Sequence, residues 1–174
     1  MTKILLTISL LLTLGQVSSS DILGTADNSV TKEEIEGFIQ FLIQDGTLKT
    51  TDYLKAEPIK VSPDKLFDEL EKNSRIRTKK DSTLFREFRE DLPTIMSMYQ
   101  ELDNFVFKTK RLGFRKGRKE KYTSISLPYF NPKKDKVLIE ITESCPGLCG
   151  SGQIILFERG NGKWTYRHSK TWLV

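Results

Sequence analysis

The spacing of apolar residues changes at Phe105, and this change constrains the fold more than any other feature of the chain. Upstream of Phe105, apolar residues recur every three or four positions, whereas downstream they alternate with polar ones. A period of 3.6 residues aligns side chains on one face of a helix, and a period of 2 aligns them on one face of a strand. The pattern therefore predicts helices in the first half of the chain and strands in the second.

The first helix is the most clearly marked element. Thr31 and Glu34 fit a capping box, in which each side chain accepts a hydrogen bond from the other residue's backbone amide. Gly46 marks its end. The apolar positions between these limits have helical spacing: Ile35, Phe38, Ile39, Leu42 and Ile43.

Two further helices are predicted before Phe105. One opens at Ser62-Pro63-Asp64, with Ser as the cap and Pro at the first helical position. After a basic segment, 73–81, which we expect to be solvated, the next helix runs from about residue 82 to residue 103. Pro93 is expected to kink this helix or to divide it in two, which gives three or four helices in all.

The second half of the chain predicts about five strands. Their alternating or apolar residues are Phe105 and Phe107; Thr123, Ile125 and Leu127; Val137, Ile139 and Ile141; Ile154 to Phe157; and Trp164, Tyr166 and His168. The run 154–157 is apolar on both sides, which indicates a central strand covered on both faces. Trp164, Tyr166 and His168 are expected on one side of the last strand. Gly160-Asn161-Gly162 is typical of a tight hairpin with positive φ, and the short links imply an antiparallel meander.

The predicted fold class is therefore α+β, with three or four N-terminal helices packed on a C-terminal antiparallel meander of about five strands. Neither half can bury its apolar surface alone, so we expect the helices to lie on one face of the sheet. By analogy, this arrangement is that of the cystatin-like or nuclear-transport-factor-2-like folds. Fold analogy of this kind says nothing about function.

Residues 1–20 have the pattern of a cleaved signal peptide. Lys3 precedes an apolar run, 4–14, which contains only Thr and Ser besides apolar residues, and small residues follow at 17–20. The run is too short to cross a bilayer, which needs about 20 apolar residues. We therefore expect export to the periplasm or the cell exterior. Residues 21–174 then form a single α+β domain with no transmembrane segment in the mature chain.

The charge of the chain is mildly positive. Its 28 basic and 23 acidic residues give a net charge of +5, and loss of Lys3 with the signal peptide leaves 27 and 23, a charge of +4. A chain devoted to nucleic acid is usually more basic, and an exported protein rarely meets the nucleic acid of its own cell. Nucleic acid is therefore not expected as a partner.

Cys145 and Cys149 are the two cysteines of the chain. In an oxidising compartment such a pair predicts a disulfide. Pro146-Gly147 suits a type II turn, which can bring the two Cα atoms within the roughly 4.4–6.8 Å that a disulfide requires. A redox-active pair and unpaired thiols remain alternatives, although the two-residue spacing of thioredoxin-like motifs is absent. A zinc site would need four ligands, whereas the chain has two cysteines and one histidine.

The stretch from about residue 127 to residue 172 resembles the C-terminal half of exported bacterial proteins of uncharacterised function. The residues that carry the resemblance are Tyr129-Phe130-Asn131, Val137 to Ile141, Cys145 to Gly152, Ile154 to Phe157, Gly162-Lys163-Trp164 and Trp172. The chain departs from that pattern at Pro146, where Gly is expected, and at the end, Leu173-Val174, which lacks a small polar residue after Trp. The resemblance implies export and a similar fold, and it brings no catalytic residues.

A strongly basic segment occupies positions 108–121. It contains eight basic residues and one acid, Glu120, with aromatic and apolar residues between them. The basic residues are Lys108, Lys110, Arg111, Arg115, Lys116, Arg118, Lys119 and Lys121. Such a segment can bind a polyanion or the anionic surface of the cell envelope, or it can be a solvated loop.

Catalytic candidates are few. His168 is the single histidine, and a catalytic base also needs a nucleophile placed against it. Glu140 and Glu143 are expected on opposite faces of one strand, which argues against a paired-carboxylate site. Gly150-Ser151-Gly152 leads into a strand, so these glycines are interpreted as easing a tight strand start and not as a phosphate cradle.

No catalytic residue, metal site or cofactor is therefore predicted. The leading hypothesis is an exported, non-catalytic binding module for a protein or another envelope ligand. One alternative is a polyanion or envelope-surface binder that uses segment 108–121. Another is a hydrolase or thiol oxidoreductase whose site forms only in three dimensions.

Overall fold

The computed structural model describes residues 29–48, 53–73, 78–102, 104–107, 122–145 and 149–173. At positions 53, 73, 145 and 149 it describes the backbone alone. The elements in chain order are α1 (Lys32–Gln44), β1 (Tyr53–Leu54), α2 (Pro63–Asn73), α3 (Lys79–Met98), a 3-10 turn (Gln100–Leu102), β2 (Tyr122–Ile125), β3 (Tyr129–Phe130), β4 (Lys136–Cys145), β5 (Cys149–Gly160) and β6 (Lys163–Leu173). The fold is α+β, as predicted: three helices followed by a C-terminal antiparallel sheet.

Helix α1 begins and ends where the sequence predicts. The Thr31 hydroxyl accepts a hydrogen bond from the Glu34 amide at 3.2 Å, and the Glu34 carboxylate accepts one from the Thr31 amide at 3.0 Å. This reciprocal pair satisfies two of the amides that a helix leaves open at its start. Gly46 follows the helix at a φ of +81°, a conformation that favours glycine.

Helix α3 begins earlier than its apolar pattern indicates and is not divided by Pro93. Thr78 caps it through a second capping box with Asp81, so residues 79–81 belong to the helix, while Lys79 and Lys80 are exposed as expected for this basic segment. Pro93 lies inside the helix on its exposed side. Solvent can satisfy the carbonyl that the missing amide leaves open there, so the helix continues.

The sheet has the order β1-β2-β4-β5-β6, with β3 also paired to β4. Strands β2 to β6 form the predicted antiparallel meander, while the two-residue β1 joins its edge in parallel with β2. β2 and β3 pair with successive parts of β4, separated by a one-residue shift in register. The Ser126 hydroxyl bridges this shift by accepting a hydrogen bond from the Glu140 amide at 3.0 Å.

The β5–β6 hairpin has the predicted tight turn and an unpredicted bulge. Asn161 and Gly162 have φ values of +51° and +77°, which matches the twist of the flanking strands. Phe157 pairs with Tyr166 but Leu156 pairs with His168, so β6 carries one extra residue at this point. The bulge reverses the alternation of side chains, and the expectation that His168 shares a face with Trp164 and Tyr166 is therefore wrong.

The helices cover both faces of the sheet, and not one face as expected. Phe38 of α1 contacts Phe130 and Phe157 on one face. On the other face, Phe85 of α3 contacts His168, which pairs with Leu156, and Glu69 of α2 forms an ion pair with Lys170. Because neighbouring positions of a strand point to opposite faces, a run that is apolar at every position needs a layer on each side. The buried run 154–157 of β5 meets this condition.

Phe105 and Phe107 do not form the predicted strand. Both side chains are buried and their rings contact each other edge to face at 5.2 Å. The Phe107 amide donates to the Ala56 carbonyl at 2.9 Å. Their alternation therefore reflects packing of an irregular segment. Across the described ranges, no helix has the length and apolar character needed to cross a membrane.

Candidate functional site: the groove at Trp164

The sequence predicts a polyanion-binding segment and a disulfide, and most of the residues concerned lie outside the described part of the chain. All of segment 108–121, and residues 146–148 between the cysteines, lie outside the described residues. The backbone of Cys145 is paired directly with that of Cys149 across the β4–β5 ladder. Directly opposed residues of an antiparallel pair have Cα atoms about 4.5–5.5 Å apart, which is within the range that a disulfide needs. The register is therefore compatible with the predicted disulfide.

His168 joins β6 to the start of α3. Its Nε2 lies 3.1 Å from Oδ1 of Asp81, and its ring meets that of Phe85 at 4.9 Å between centroids. The hydrogen bond with Thr78 lowers the pKa of the Asp81 carboxyl; burial opposes this effect and His168 adds to it. The carboxylate that faces His168 thus also caps helix α3.

Glu140 and Glu143 point to opposite faces of β4, as predicted from their spacing. Glu140 is half-buried on the face covered by α2 and α3, and burial raises the pKa of its carboxyl. Glu143 lies on the face covered by α1. The two carboxyl groups therefore do not converge on one site.

A groove with a cavity volume of about 680 Å³ lies between α1 and the β5–β6 hairpin. We call it the Trp164 groove. Its aromatic lining is Phe38, Phe41, Phe130 and Trp164. Phe38 lies at the centre of this set and meets the Trp164 ring edge to face, with 5.2 Å between centroids. A half-buried indole in such a setting has a firm support and a surface open to a ligand.

Two local features keep the groove open. Gly37 lines it from α1, and a Cβ atom built at Gly37 meets no atom within 4 Å. Glycine inside a helix costs about 1 kcal/mol relative to alanine, so a larger residue would stabilise the helix but would project into the groove. On the opposite wall, the tight turn at Asn161 and Gly162 brings Lys163 and Trp164 directly beside the end of β5.

One cation of the groove is fully engaged with the protein. Lys134 Nζ donates to both carboxylate oxygens of Glu34, at 2.7 and 2.9 Å, and to the Ser29 carbonyl at 3.2 Å. Burial alone raises the pKa of Glu34, but the hydrogen bonds from Lys134 and Thr31 outweigh it and hold that pKa below its ordinary value. This pair links α1 to the β3–β4 turn and forms one end of the groove.

Two other cations have no such partner. Arg159 and Lys163 are both exposed and line the groove beside Trp164. The Arg159 guanidinium lies over the indole, 5.6 Å from its centroid. Within the described part of the chain, neither side chain forms an ion pair with a carboxylate. The two charges are therefore open to an anionic ligand.

The arrangement combines an aromatic surface with unpaired positive charge. It can bind a group that packs against the exposed part of the indole or of Phe41, next to a carboxylate or phosphate held by Arg159 and Lys163. Its described lining residues include no serine, threonine, cysteine, histidine or tyrosine.

Sequence reasoning pointed to some of these residues without assembling them. The motif Gly162-Lys163-Trp164 and the helical position of Phe38 are visible in the sequence, but no pattern places α1 beside the hairpin. The sequence signal that could have helped is the pair of basic residues, Arg159 and Lys163, that flank the predicted turn next to a tryptophan.

Among the described side chains, no three His, Cys, Asp or Glu residues are grouped as metal ligands. Comparisons of the chain with protein-family models, with curated proteins and with solved structures found no significant match. The resemblance of residues 127–172 to exported bacterial proteins therefore stays a prediction.

Proposed function

We propose that this protein is an exported, non-catalytic binding module that holds its partner in the Trp164 groove. The partner presents an aromatic or apolar group next to an anionic group. The observation that carries the proposal is that Arg159 and Lys163 stand beside a half-buried indole and form no ion pair with a described carboxylate. Glu34 and Asp45 also line the groove, so its lining carries three cations against two acids. An unpaired charge contributes most to the free energy of ligand binding when a neighbouring apolar surface excludes water from the contact.

The position of His168 supports the non-catalytic part of the proposal. Its Nε2 is engaged by Asp81 and its ring is packed against Phe85, on the face of the sheet opposite the groove. A general base must reach the proton that it removes. A histidine that holds a strand to a helix cap serves the fold instead.

The experiment is capture of envelope proteins and ligands by the purified domain and by groove variants. Gly37→Leu fills the groove without changing its charge, and Arg159→Glu with Lys163→Glu reverses the charge. The matched control is Lys79→Glu, an exposed lysine on α3 that contacts neither wall of the groove. We expect a ligand that is retained by the wild type and the control and lost by both groove variants. An identical set of ligands in all four samples would show that the groove is not the binding site.

Export is part of the same proposal and has its own test. The pattern at residues 1–20 supports it, and mass spectrometry of the protein expressed with its full sequence measures the mature N-terminus. We expect cleavage near Ser19 or Ser20 and recovery from the periplasm or the medium. An intact chain in the cytosol would contradict it.

A second candidate function is polyanion binding by segment 108–121. The specific observation in its favour is that both flanking residues are fixed: Phe107 is buried and bonded to Ala56, and Tyr122 pairs with β4. A segment with eight basic residues is thereby tied at both ends to the folded domain. Retention on heparin that falls steeply with added salt is expected, and elution without retention would remove this candidate.

A further inference from the structure

A second groove lies at the end of α3, away from the Trp164 groove. It has a cavity volume of about 1440 Å³ and separates the chain segment 57–65 from the segment 99–106. Two of the four large apolar side chains exposed in the described part of the chain line it: Met96 is 47% exposed and Val106 is 53% exposed. We call it the Met96 groove.

Two tyrosines that line the Met96 groove have hydroxyl groups bonded within the protein. The Tyr99 hydroxyl donates to the Pro128 carbonyl, and the Tyr129 hydroxyl donates to the Val61 carbonyl. Burial raises the pKa of Tyr129 to about 12, and that of Tyr99 rises for the same reason. Both phenols therefore stay neutral, and their polar ends are used within the protein, so their rings add apolar surface.

The rim of the same groove is positively charged. Lys60 and Lys65 line it, and neither forms an ion pair with any carboxylate of the described residues. Glu57 is the single acid in the described lining.

We propose that the Met96 groove docks on the surface of an anionic phospholipid bilayer. Met96 and Val106 then enter the boundary between head groups and acyl chains, while Lys60 and Lys65 contact the phosphates. Exposed aliphatic side chains next to lysines without an ion pair match such a surface, in which phosphates lie directly above the acyl chains. Each lysine near an anionic bilayer contributes about 1 kcal/mol of attraction, so charge and apolar contact are both needed for stable attachment. This inference does not depend on the Trp164 groove.

The test is cosedimentation with vesicles made of equal amounts of phosphatidylglycerol and phosphatidylcholine, against vesicles of phosphatidylcholine alone. We expect binding to the anionic vesicles only. The double variant Met96→Ser, Val106→Ser should weaken it about tenfold, because two partly inserted side chains are lost. Lys60→Glu with Lys65→Glu should weaken it by about tenfold or more.

Two controls separate the groove from general surface properties. Leu173→Ser removes an 83% exposed leucine at the end of β6, and Lys32→Glu with Lys79→Glu reverses two exposed lysines on other faces. Circular dichroism checks that all variants are folded. Wild-type affinity in the Met96–Val106 variant would assign vesicle binding to charge alone and would overturn the proposal. Absence of vesicle binding by the wild type would also overturn it.

Discussion

A Cβ atom on Gly152 would lie 2.2 Å from Cζ2 of Trp172, closer than any real contact of this kind. The two residues are paired across β5 and β6, and three carbon atoms of the indole lie within 3 Å of the position that the Cβ atom would take. Glycine is therefore required at this position by the approach of a neighbouring ring. The tight strand start that the sequence suggested is not the reason.

Gly152→Ala is expected to destabilise the protein by about 1–3 kcal/mol, because the Trp172 ring must move away from β5. Urea unfolding followed by circular dichroism measures the change. Gly160→Ala is the matched control, since a Cβ atom at Gly160 meets no atom within 4 Å. In a Trp172→Ala background the Gly152→Ala cost should largely disappear. Equal effects of the two glycine variants in the wild-type background would contradict this account.

The ion pair of Glu34 and Lys134 predicts a pH-dependent contribution to stability. The pKa of Glu34 is lower in the folded protein than its unfolded value of about 4.3, so the pair stabilises the fold above that value. The contribution is lost as the pH falls through the lower, folded pKa. Glu34→Gln should therefore cost about 0.5–1.5 kcal/mol near pH 7, and this cost should shrink as the pH falls below about 4.

Denaturant unfolding of the wild type and Glu34→Gln at several pH values measures this difference. Glu33→Gln is the control, since Glu33 is exposed on the same helical turn. A cost for Glu34→Gln that stays constant from pH 7 to pH 3 would show that the carboxylate charge is not responsible.

Lys136 is a nearly buried cation, with a side chain only 7% exposed. Its Nζ lies 3.1 Å from Oε2 of Glu87 on α3 and 3.5 Å from Oδ1 of Asp135. Burial lowers the pKa of Lys136, but the hydrogen bond with Glu87 and the charge of Asp135 outweigh this effect and raise it. Lys136 is therefore charged, and Glu87 and Asp135 are what stabilise this charge in its buried position.

Removing Glu87 should lower the free energy of unfolding more than removing the charge of Lys136. Glu87→Ala is expected to destabilise the protein by about 1–3 kcal/mol, whereas Lys136→Met should stay within about 1 kcal/mol of the wild type. Thermal unfolding at one pH compares the two variants. A larger loss in Lys136→Met would mean that the pair itself provides net stability.

The disulfide prediction is tested with Cys145→Ser and Cys149→Ser together. A bridge across so short a loop stabilises by about 2 kcal/mol in the chain-entropy description, and the fold should be retained. Alkylation without reductant should leave both thiols of the wild type unlabelled. Labelling of both would exclude the disulfide, and loss of thiol exchange in a reductase assay would instead favour the oxidoreductase alternative.

Helix caps and tight turns were largely predictable from the sequence. The capping box of Thr31 and Glu34, the helix start at Pro63 and the turn at Asn161 and Gly162 depend on contacts within a few residues, so their chemistry is visible in the chain. The third helix shows the limit of apolar patterns. Its cap, Thr78, was overlooked because the first turn of the helix carries charges and not apolar residues.

The candidate sites were predictable only in part. The aromatic and basic residues of the Trp164 groove come from α1, β3 and the β5–β6 hairpin, which are far apart in the chain. Met96 and Val106 were ordinary members of a helix and a presumed strand. Whether such residues meet depends on which face of the sheet each helix covers. Periodicity shows which face of an element is apolar, but it does not show which other element packs against that face.

The sequence by itself determined the α+β class, with helices in the first half, and the C-terminal antiparallel meander, because hydrophobic period and turn chemistry act over short distances. Only the tertiary structure decided that helices cover both faces, that a bulge turns His168 toward Asp81, and that Trp172 requires Gly152. These outcomes arise from packing between residues distant in the chain, where volume and register select one arrangement among several with the same local pattern.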